Sequence, residues 1–443
     1  MKKNNYILFW LSQAVSQLGT SLTGFALIFW IYGQTKSVMS LSLMIFCHYV
    51  PYVIVSMLAG AIVDRSKKKT ILIVSDFISF MLTALLLVFF KTGSVTIWMV
   101  YMVNIVNGFT GAFQSPASSL VVKLLVDKDK LEKVSGLNSF TSSLITVITP
   151  VLAASFKVFI GIRGILILDM MTFIFAFLVL LFGIQLTNDK ISQHSITVKS
   201  IFEDTKVGLL YIWNNQGIKT LILSMALINF FSRLTYENTL TALILFRTAG
   251  NEMVLGLVNS VIGFGGIIGG IIVTVAPMPK NKSKQLYGFA CLSFLLGDIL
   301  MGLAVTPLTM CLAGLAASLP IPMIVAAQNV MMYNNVPDQI QGRVFAAKNT
   351  LQFFTIPIGT LLGGYLAEYV FEPFMLGQSS DIIFLSMFVG SNEGSGIGLM
   401  FIITGILGTI FCLFCYKNKD MHKLGQIDIK VSSQTKKQVE STS

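Results

Sequence analysis

Twelve apolar runs of bilayer-crossing length, each ended by a short polar segment, constrain this chain more than any single motif does. A crossing helix needs roughly 20 predominantly apolar residues. Such runs lie near 7–31, 40–63, 71–90, 96–122, 136–159 and 164–184, then near 219–246, 253–275, 286–304, 309–333, 344–370 and 396–416. A backbone inside hydrocarbon has no water to bond to, so each run is expected to close its own hydrogen bonds as a helix. Composition agrees: 54% of the 443 residues are hydrophobic and 12% charged, too few charges to cover a soluble globule of this size. The expected fold is an all-α membrane protein with twelve transmembrane helices.

The net charge of +11 does not point to nucleic acid, because the bases are dispersed in the polar segments between runs. They read instead as topology signals. With the N-terminus inside, 25 Lys and Arg fall on the inner side, five on the outer side, and Arg233 lies within a run. That bias predicts both termini in the cytoplasm. The five cysteines lie in or at the ends of apolar runs without metal-site or disulfide spacing, so they read as small membrane hydrophobes. The first run follows Met-Lys-Lys-Asn-Asn without a small-residue cleavage site, which argues against a removable signal peptide. No cofactor or metal is expected.

The two groups of six runs look like copies. Pro116 and Pro150 correspond to Pro322 and Pro357 at offsets of 206 and 207, and Lys133 corresponds to Arg343 at 210. Duplication of a six-helix unit leaves such offsets and places a substrate site between the halves; chance pairing among eleven prolines is the alternative. The expected organisation is two pseudo-symmetric six-helix bundles at 1–184 and 219–416, a cytoplasmic linker at 185–218, and a tail at 417–443 without regular structure. Within the linker, Val198, Ile201, Phe202, Leu209, Ile212 and Trp213 form the apolar face of an expected interfacial helix. The segment 371–395 is a long outer loop with an apolar core at 382–389.

Between runs 2 and 3 stands Gly-Ala-Ile-Val-Asp-Arg-Ser-Lys-Lys-Lys-Thr, residues 60–70. Read alone, it is either a topogenic basic loop or a charged latch that forms and breaks as helices move. Its spacing resembles the loop between helices 2 and 3 of the major facilitator superfamily, Gly-x-x-x-Asp-Arg/Lys-x-Gly-Arg-Arg/Lys. Gly60, Asp64, Arg65, Lys68 and Lys69 occupy matching positions, and Lys67 stands where that family often has Gly. Asp76, near the inner end of run 3, is expected to belong to the latch.

A charge in the hydrocarbon costs roughly 2.5 to 3.5 kcal/mol, so each needs a reason. Arg233 and Glu237 are four apart in run 7, hence on one helical face. They are either a self-neutralised pair or a protonatable Glu237 whose proton affinity changes when Arg233 finds another partner. Asp169, about two turns into run 6, is either a capping residue or a proton or cation site. Asp298 in run 9 is a weaker candidate. His48 in run 2 is either hydrogen-bonded structure or a relay. Gly-x-x-x-Gly spacings in run 8 and at Gly359 and Gly363 allow close helix approach. Gln13, Asn107, Phe230, Tyr236 and Phe353 are the candidates for a cavity lining, and abundant aromatic and Met residues suit a bulky, largely apolar or cationic solute.

Over essentially its whole length up to the tail, the chain resembles the macrolide-efflux branch of the same superfamily. Beyond the loop, the likeness rests on Gln13 to Ser21, Thr35-Lys36-Ser37, Val50-Pro51-Tyr52, Ala112-Phe113-Gln114-Ser115-Pro116-Ala117, Asp169, Gly208 and Gly342-Arg343-Val344-Phe345. The resemblance implies a monomeric secondary transporter of a bacterial inner membrane that exports hydrophobic or amphipathic small molecules against proton influx. Two departures bear on coupling. Asn107 stands where many drug-proton antiporters carry an Arg, and Pro150 is flanked by Thr149 and Val151 where their motif has glycines. Glu237 is then the first candidate proton carrier and Asp169 the second. Exporters of siderophores, peptide products or lysolipids would share these features. A membrane enzyme would need a nucleophile-base or ligand set, yet His48, His194 and His422 lie on unrelated segments.

Overall fold

A computed structural model describes residues 2–126, 131–184, 198–337, 340–377 and 380–426. Among these residues the structure is helical, with no strand. The elements are α1 (Lys2–Thr35), α2 (Val38–Arg65), α3 (Lys68–Thr92), α4 (Ile97–Leu125), α5 (Leu131–Leu178), α6 (Val198–Asn214), α7 (Gln216–Thr235), α8 (Asn238–Arg247) and α9 (Glu252–Val275). They continue with α10 (Lys282–Leu292), α11 (Ile299–Leu303), α12 (Pro307–Ser318), α13 (Ile321–Asn335), α14 (Gln341–Phe353), α15 (Thr355–Leu366), α16 (Glu372–Met375), α17 (Ser380–Val389), α18 (Ser395–Lys417) and α19 (Lys419–Gln426). Among the described residues, ten helical segments are long and apolar enough to cross a membrane.

Local chemistry sets the ends. Ser37 caps α2 by accepting the Ser40 N–H at 3.1 Å, and Asn215 caps α7 by accepting the Ile218 N–H at 3.1 Å. In α5 the helix runs unbroken in hydrogen-bond pattern but turns at Gly161, whose φ of 65° and ψ of 177° no helix interior adopts. Expected runs 5 and 6 are thus two helical pieces meeting at one residue.

By contacts the chain divides into two units: Met1–Ile201 with Glu237–Gly263 and Thr360–Glu368, and Phe202–Tyr236 with Phe264–Gly359 and Tyr369–Ser443. Each draws on three stretches of sequence, whereas consecutive halves were expected. The added stretches of the first unit are held there by specific contacts. Lys157 pairs with Glu252. Ser37 Oγ and the Met39 N–H donate to the Glu368 carboxylate at 2.7 and 2.8 Å. The first unit's core joins α1, α2, α3, α4 and the turn that follows α5 through Phe9, Val63, Leu72, Val121 and Leu180. In the second, Leu221, Ile222, Tyr287, Ala327, Met332 and Cys412 close a core among α7, α10, α13 and α18.

Two expectations change. The tail begins as helix: α19 places Met421, 1% exposed, and Leu424 into the second unit's core, while 427–443 lie outside the described residues. In the linker, helix α6 covers the expected interfacial segment; Ile212 is buried, and Trp213 is 60% exposed with the Lys219 ammonium 5.5 Å from its ring centre. The side chains of Val198, Ile201 and Phe202 lie outside the described ones. The segment 371–395 holds α16 and α17, and Glu372 accepts the Gly394 and Ile397 N–H groups at 3.2 and 2.8 Å, tying the segment to the start of α18.

Candidate functional site

Two adjoining cavities inside the first unit form the candidate site. On α1, Gln13, Gln17 and Thr20 recur at helical spacing and bring one polar stripe to a single face. On α4, Asn107, Thr110, Gln114 and Ser118 do the same. With Asn138, Thr141 and Ser142 of α5, these stripes line a cavity of about 500 Å³, whose apolar lining includes Tyr6, Phe9, Trp10 and Phe173. Among the described residues, no carboxylate, ammonium or guanidinium lines it. Trp10 is fixed by its indole N–H, which donates to Thr141 Oγ1 at 3.1 Å.

A smaller cavity of about 220 Å³ shares Thr20, His48, Ser79, Asn107 and Phe173 with the first and adds Thr23, Thr83 and Asp169. Asp169 is 1% exposed. Its Oδ2 accepts hydrogen bonds from Thr23 Oγ1 at 2.9 Å and Thr83 Oγ1 at 3.2 Å, from α1 and α3. Its Oδ1 is buried without a hydrogen-bond partner. Gly19 makes this possible: a Cβ there would stand 2.9 Å from Oδ1 and collide with the Thr172 hydroxyl. A buried carboxylate with one oxygen held and one unpartnered has capacity left for a proton or another cation.

The other predicted residues distribute as follows. Gln13 and Asn107 line the larger cavity, and Asn107 also lines the smaller one. Phe230, Tyr236 and Phe353 belong to the second unit and line neither. There Tyr236 packs edge-on against Phe401 at 5.5 Å, and Phe353 is 44% exposed. The continuous run-7 helix expected to align Arg233 with Glu237 is broken. Helix α7 stops at Thr235, and Glu237 has φ of −86° and ψ of −88°, outside helical geometry. The i, i+4 argument for that pair therefore no longer holds.

In the latch, Lys69 Nζ donates to the Leu181 and Ile184 carbonyls at 3.1 and 2.8 Å, satisfying a helix end with a cation. Lys68 is buried. Asp76 Oδ1 accepts from Gln114 Nε2 at 2.7 Å, which links it to the cavity stripe of α4. Gly60, Asp64 and Arg65 have helical backbone, and their side chains lie outside the described ones.

Sequence reasoning missed Gln17, Thr20, Thr23 and Thr83 as site residues, and left His48, which lines both cavities, between structure and relay. The signal was present in run 1, where Gln13, Ser16, Gln17, Thr20 and Thr23 follow the helical repeat across an apolar span. A search for charges alone passes over neutral polar stripes.

A sequence model of the family described as Major Facilitator Superfamily matches residues 9–360. Macrolide efflux protein A of Streptococcus pyogenes is 23% identical over 381 residues, covering 83% of this chain and 92% of that protein. Among solved structures, the nucleoside transporter NupG is similar at a TM-score of 0.67 with 13% identity, covering 94% of this chain and 100% of its own. A bacterial homologue of the iron transporter ferroportin in an inward-facing state reaches 0.67 with 12% identity, covering 94% and 99%. At such identities the structural likeness concerns the fold.

Proposed function

The chain belongs to the Major Facilitator Superfamily, is a multi-pass membrane transporter and not an enzyme, and from that premise we propose that it exports amphipathic small molecules by alternating access coupled to proton influx. The relatives named Macrolide efflux protein A support that direction and cargo class. The observation that carries the coupling is the pair of adjoining cavities with five shared lining residues, one lined by neutral polar groups and the other containing Asp169. Cargo in the larger cavity and a proton on Asp169 both act on Thr20, His48, Ser79, Asn107 and Phe173. Each can therefore alter the other's affinity, which is the thermodynamic content of coupling. Glu237 remains a secondary candidate, with Arg233 as a modulating base.

Twelve crossings are proposed in two six-helix bundles. To the ten spanning segments are added α4, 29 residues long, and a second crossing from the break at Gly161. The bias of basic residues supports cytoplasmic termini and residence in a bacterial cytoplasmic membrane. The protein works as a monomer in lipid, and Lys69 and Asp76 belong to a latch with Gly60, Asp64, Arg65 and Lys68 that acts on conformational cycling. Asp64→Asn is expected to slow transport while equilibrium cargo binding stays within a few fold; an unchanged rate at normal abundance returns the loop to topogenesis.

Proteoliposomes energised only by a pH difference test the whole reading. Uphill accumulation of at least one member of a panel of amphipathic drugs, abolished by a protonophore, is expected. Accumulation that ignores the protonophore removes proton coupling. Cysteine labelling at Lys190 and Ser379 is expected to show opposite sidedness, and labelling of both from outside breaks the twelve-span topology.

A further inference from the structure

The larger cavity differs from the apolar chamber that the aromatic-rich sequence suggested. Of its lining, Gln13, Gln17, Asn107, Gln114 and Asn138 carry carboxamides, and ten further residues carry hydroxyls on Ser or Thr, yet among the described residues no side chain there bears a fixed charge. Neutral polar side chains in spans often serve as glue between helices. Here they line open volume. Gln17 is exposed where it lines the cavity, and the Gln13 Nε2 is buried with no hydrogen-bond partner. A buried amide donor without a partner costs roughly 1 to 3 kcal/mol, so a side-chain rotation that brings it to an acceptor on a solute regains that energy.

Resting on the exporter reading above, we infer that the cargo presents a neutral, polyhydroxylated head, such as a glycosyl group, on a more apolar body. Three features of the lining select this chemistry. Carboxamides both donate and accept, as vicinal hydroxyls do, so one Gln or Asn can bind two neighbouring hydroxyls at once. With no fixed charge among the described lining residues, a neutral head exchanges its water hydrogen bonds for carboxamide and hydroxyl partners, whereas a strongly charged head would give up its hydration without a counter-ion. Tyr6, Phe9, Trp10 and Phe173 add aromatic surface to the same cavity, against which the C–H face of a sugar ring or the apolar body can pack. The cation needed for coupling is held apart on Asp169 in the smaller cavity, so cargo charge is not required for it.

The test uses the purified full-length protein and a matched fluorescent pair, 4-methylumbelliferyl glucoside and its aglycone 4-methylumbelliferone, with tetraphenylphosphonium as a lipophilic cation and an N-acetyl dipeptide amide as a neutral peptide. Affinities are read by quenching of tryptophan fluorescence. The glucoside is expected to bind about tenfold more tightly than the aglycone, because a site built to hydrogen-bond hydroxyls rejects the analogue without them. Gln13→Leu and the cavity-exposed Gln17→Ala are each expected to remove most of that preference, while tetraphenylphosphonium affinity, which does not use the carboxamides, stays within about twofold. That last reading also shows that the variants are folded. Equal binding of glucoside and aglycone, a dipeptide amide that binds as tightly as the glucoside, or a preference untouched in both variants overturns the inference and leaves the exporter reading standing. Failure of the exporter reading shows separately, as no uphill accumulation of any probe in proteoliposomes.

Discussion

Asp169 in the first unit and Asp298 in the second are the same chemistry in two settings. Each is a buried carboxylate, 1% and 2% exposed, accepting from a threonine of the helix that begins its half: Thr23 at 2.9 Å for Asp169, Thr235 at 3.0 Å for Asp298. Thr23 and Thr235 lie 212 residues apart, and Thr83, the second donor to Asp169, lies 215 before Asp298 itself. Duplication of a six-helix unit accounts for such offsets. The settings then diverge. Asp169 borders a cavity and keeps one oxygen without a partner. Asp298 lines neither cavity, ends a π-helical turn at Ser293–Asp298, and is packed so closely that a Cβ on Gly405 would sit 3.0 Å from its own Cβ. A carboxylate beside open volume can exchange its cation, and one sealed in packing can only hold the fold together. Burial alone does not separate these roles; access does.

The largest expected effect breaks the comparison outright. Asp169→Asn is expected to abolish accumulation driven by a pH difference while allowing downhill exchange of cargo, whereas Asp298→Asn, whose amide oxygen still accepts from Thr235, keeps most of the driven transport. Equal losses in both would reduce Asp169 to structure. Stability is expected to invert the order. Asp298→Ala removes the Thr235 hydrogen bond and leaves a void in a closely packed site, read as a lower melting temperature, and Asp169→Ala costs less because water from the cavity replaces the acid.

A smaller effect sharpens the role of the donors. Thr23→Val removes one of two hydrogen bonds to Asp169 and is expected to move the pH profile of transport, while Thr235→Val leaves that profile in place and lowers stability only. The smallest effect concerns Glu237, which stands at a helix break. Glu237→Gln is expected to cost less than about tenfold in driven transport, with the gradient still used. Complete uncoupling by this variant would restore it as the proton carrier.

The lipid-facing architecture was legible because hydrocarbon imposes one rule on every residue of a span, and the apolar runs record that rule directly. The interruption at Tyr236–Glu237 was not, since no Pro or Gly marks the break and the polar stretch from Ser232 to Thr239 fits a continuous helix equally well. Asp169 was visible as a charge out of place. Its partners were not, because Thr23 and Thr83 lie 146 and 86 residues away and only packing brings them to one carboxylate. The grouping of Glu237–Gly263 with the first unit was equally hidden, as it depends on pairs such as Lys157 with Glu252, 95 residues apart in sequence. Asn107 shows the converse case. Read both as the loss of a coupling Arg and as a cavity candidate, it is seen only in the structure to line both cavities.

Proton release on cargo binding tests the central claim most directly. Purified protein in weakly buffered solution at the pH of half-maximal transport, mixed with a transported cargo in the presence of a pH indicator, is predicted to release up to about one proton per binding event. Asp298→Asn is predicted to release the same amount, and Asp169→Asn none while still binding cargo. Unaltered release from Asp169→Asn would contradict the account and move the coupling site elsewhere.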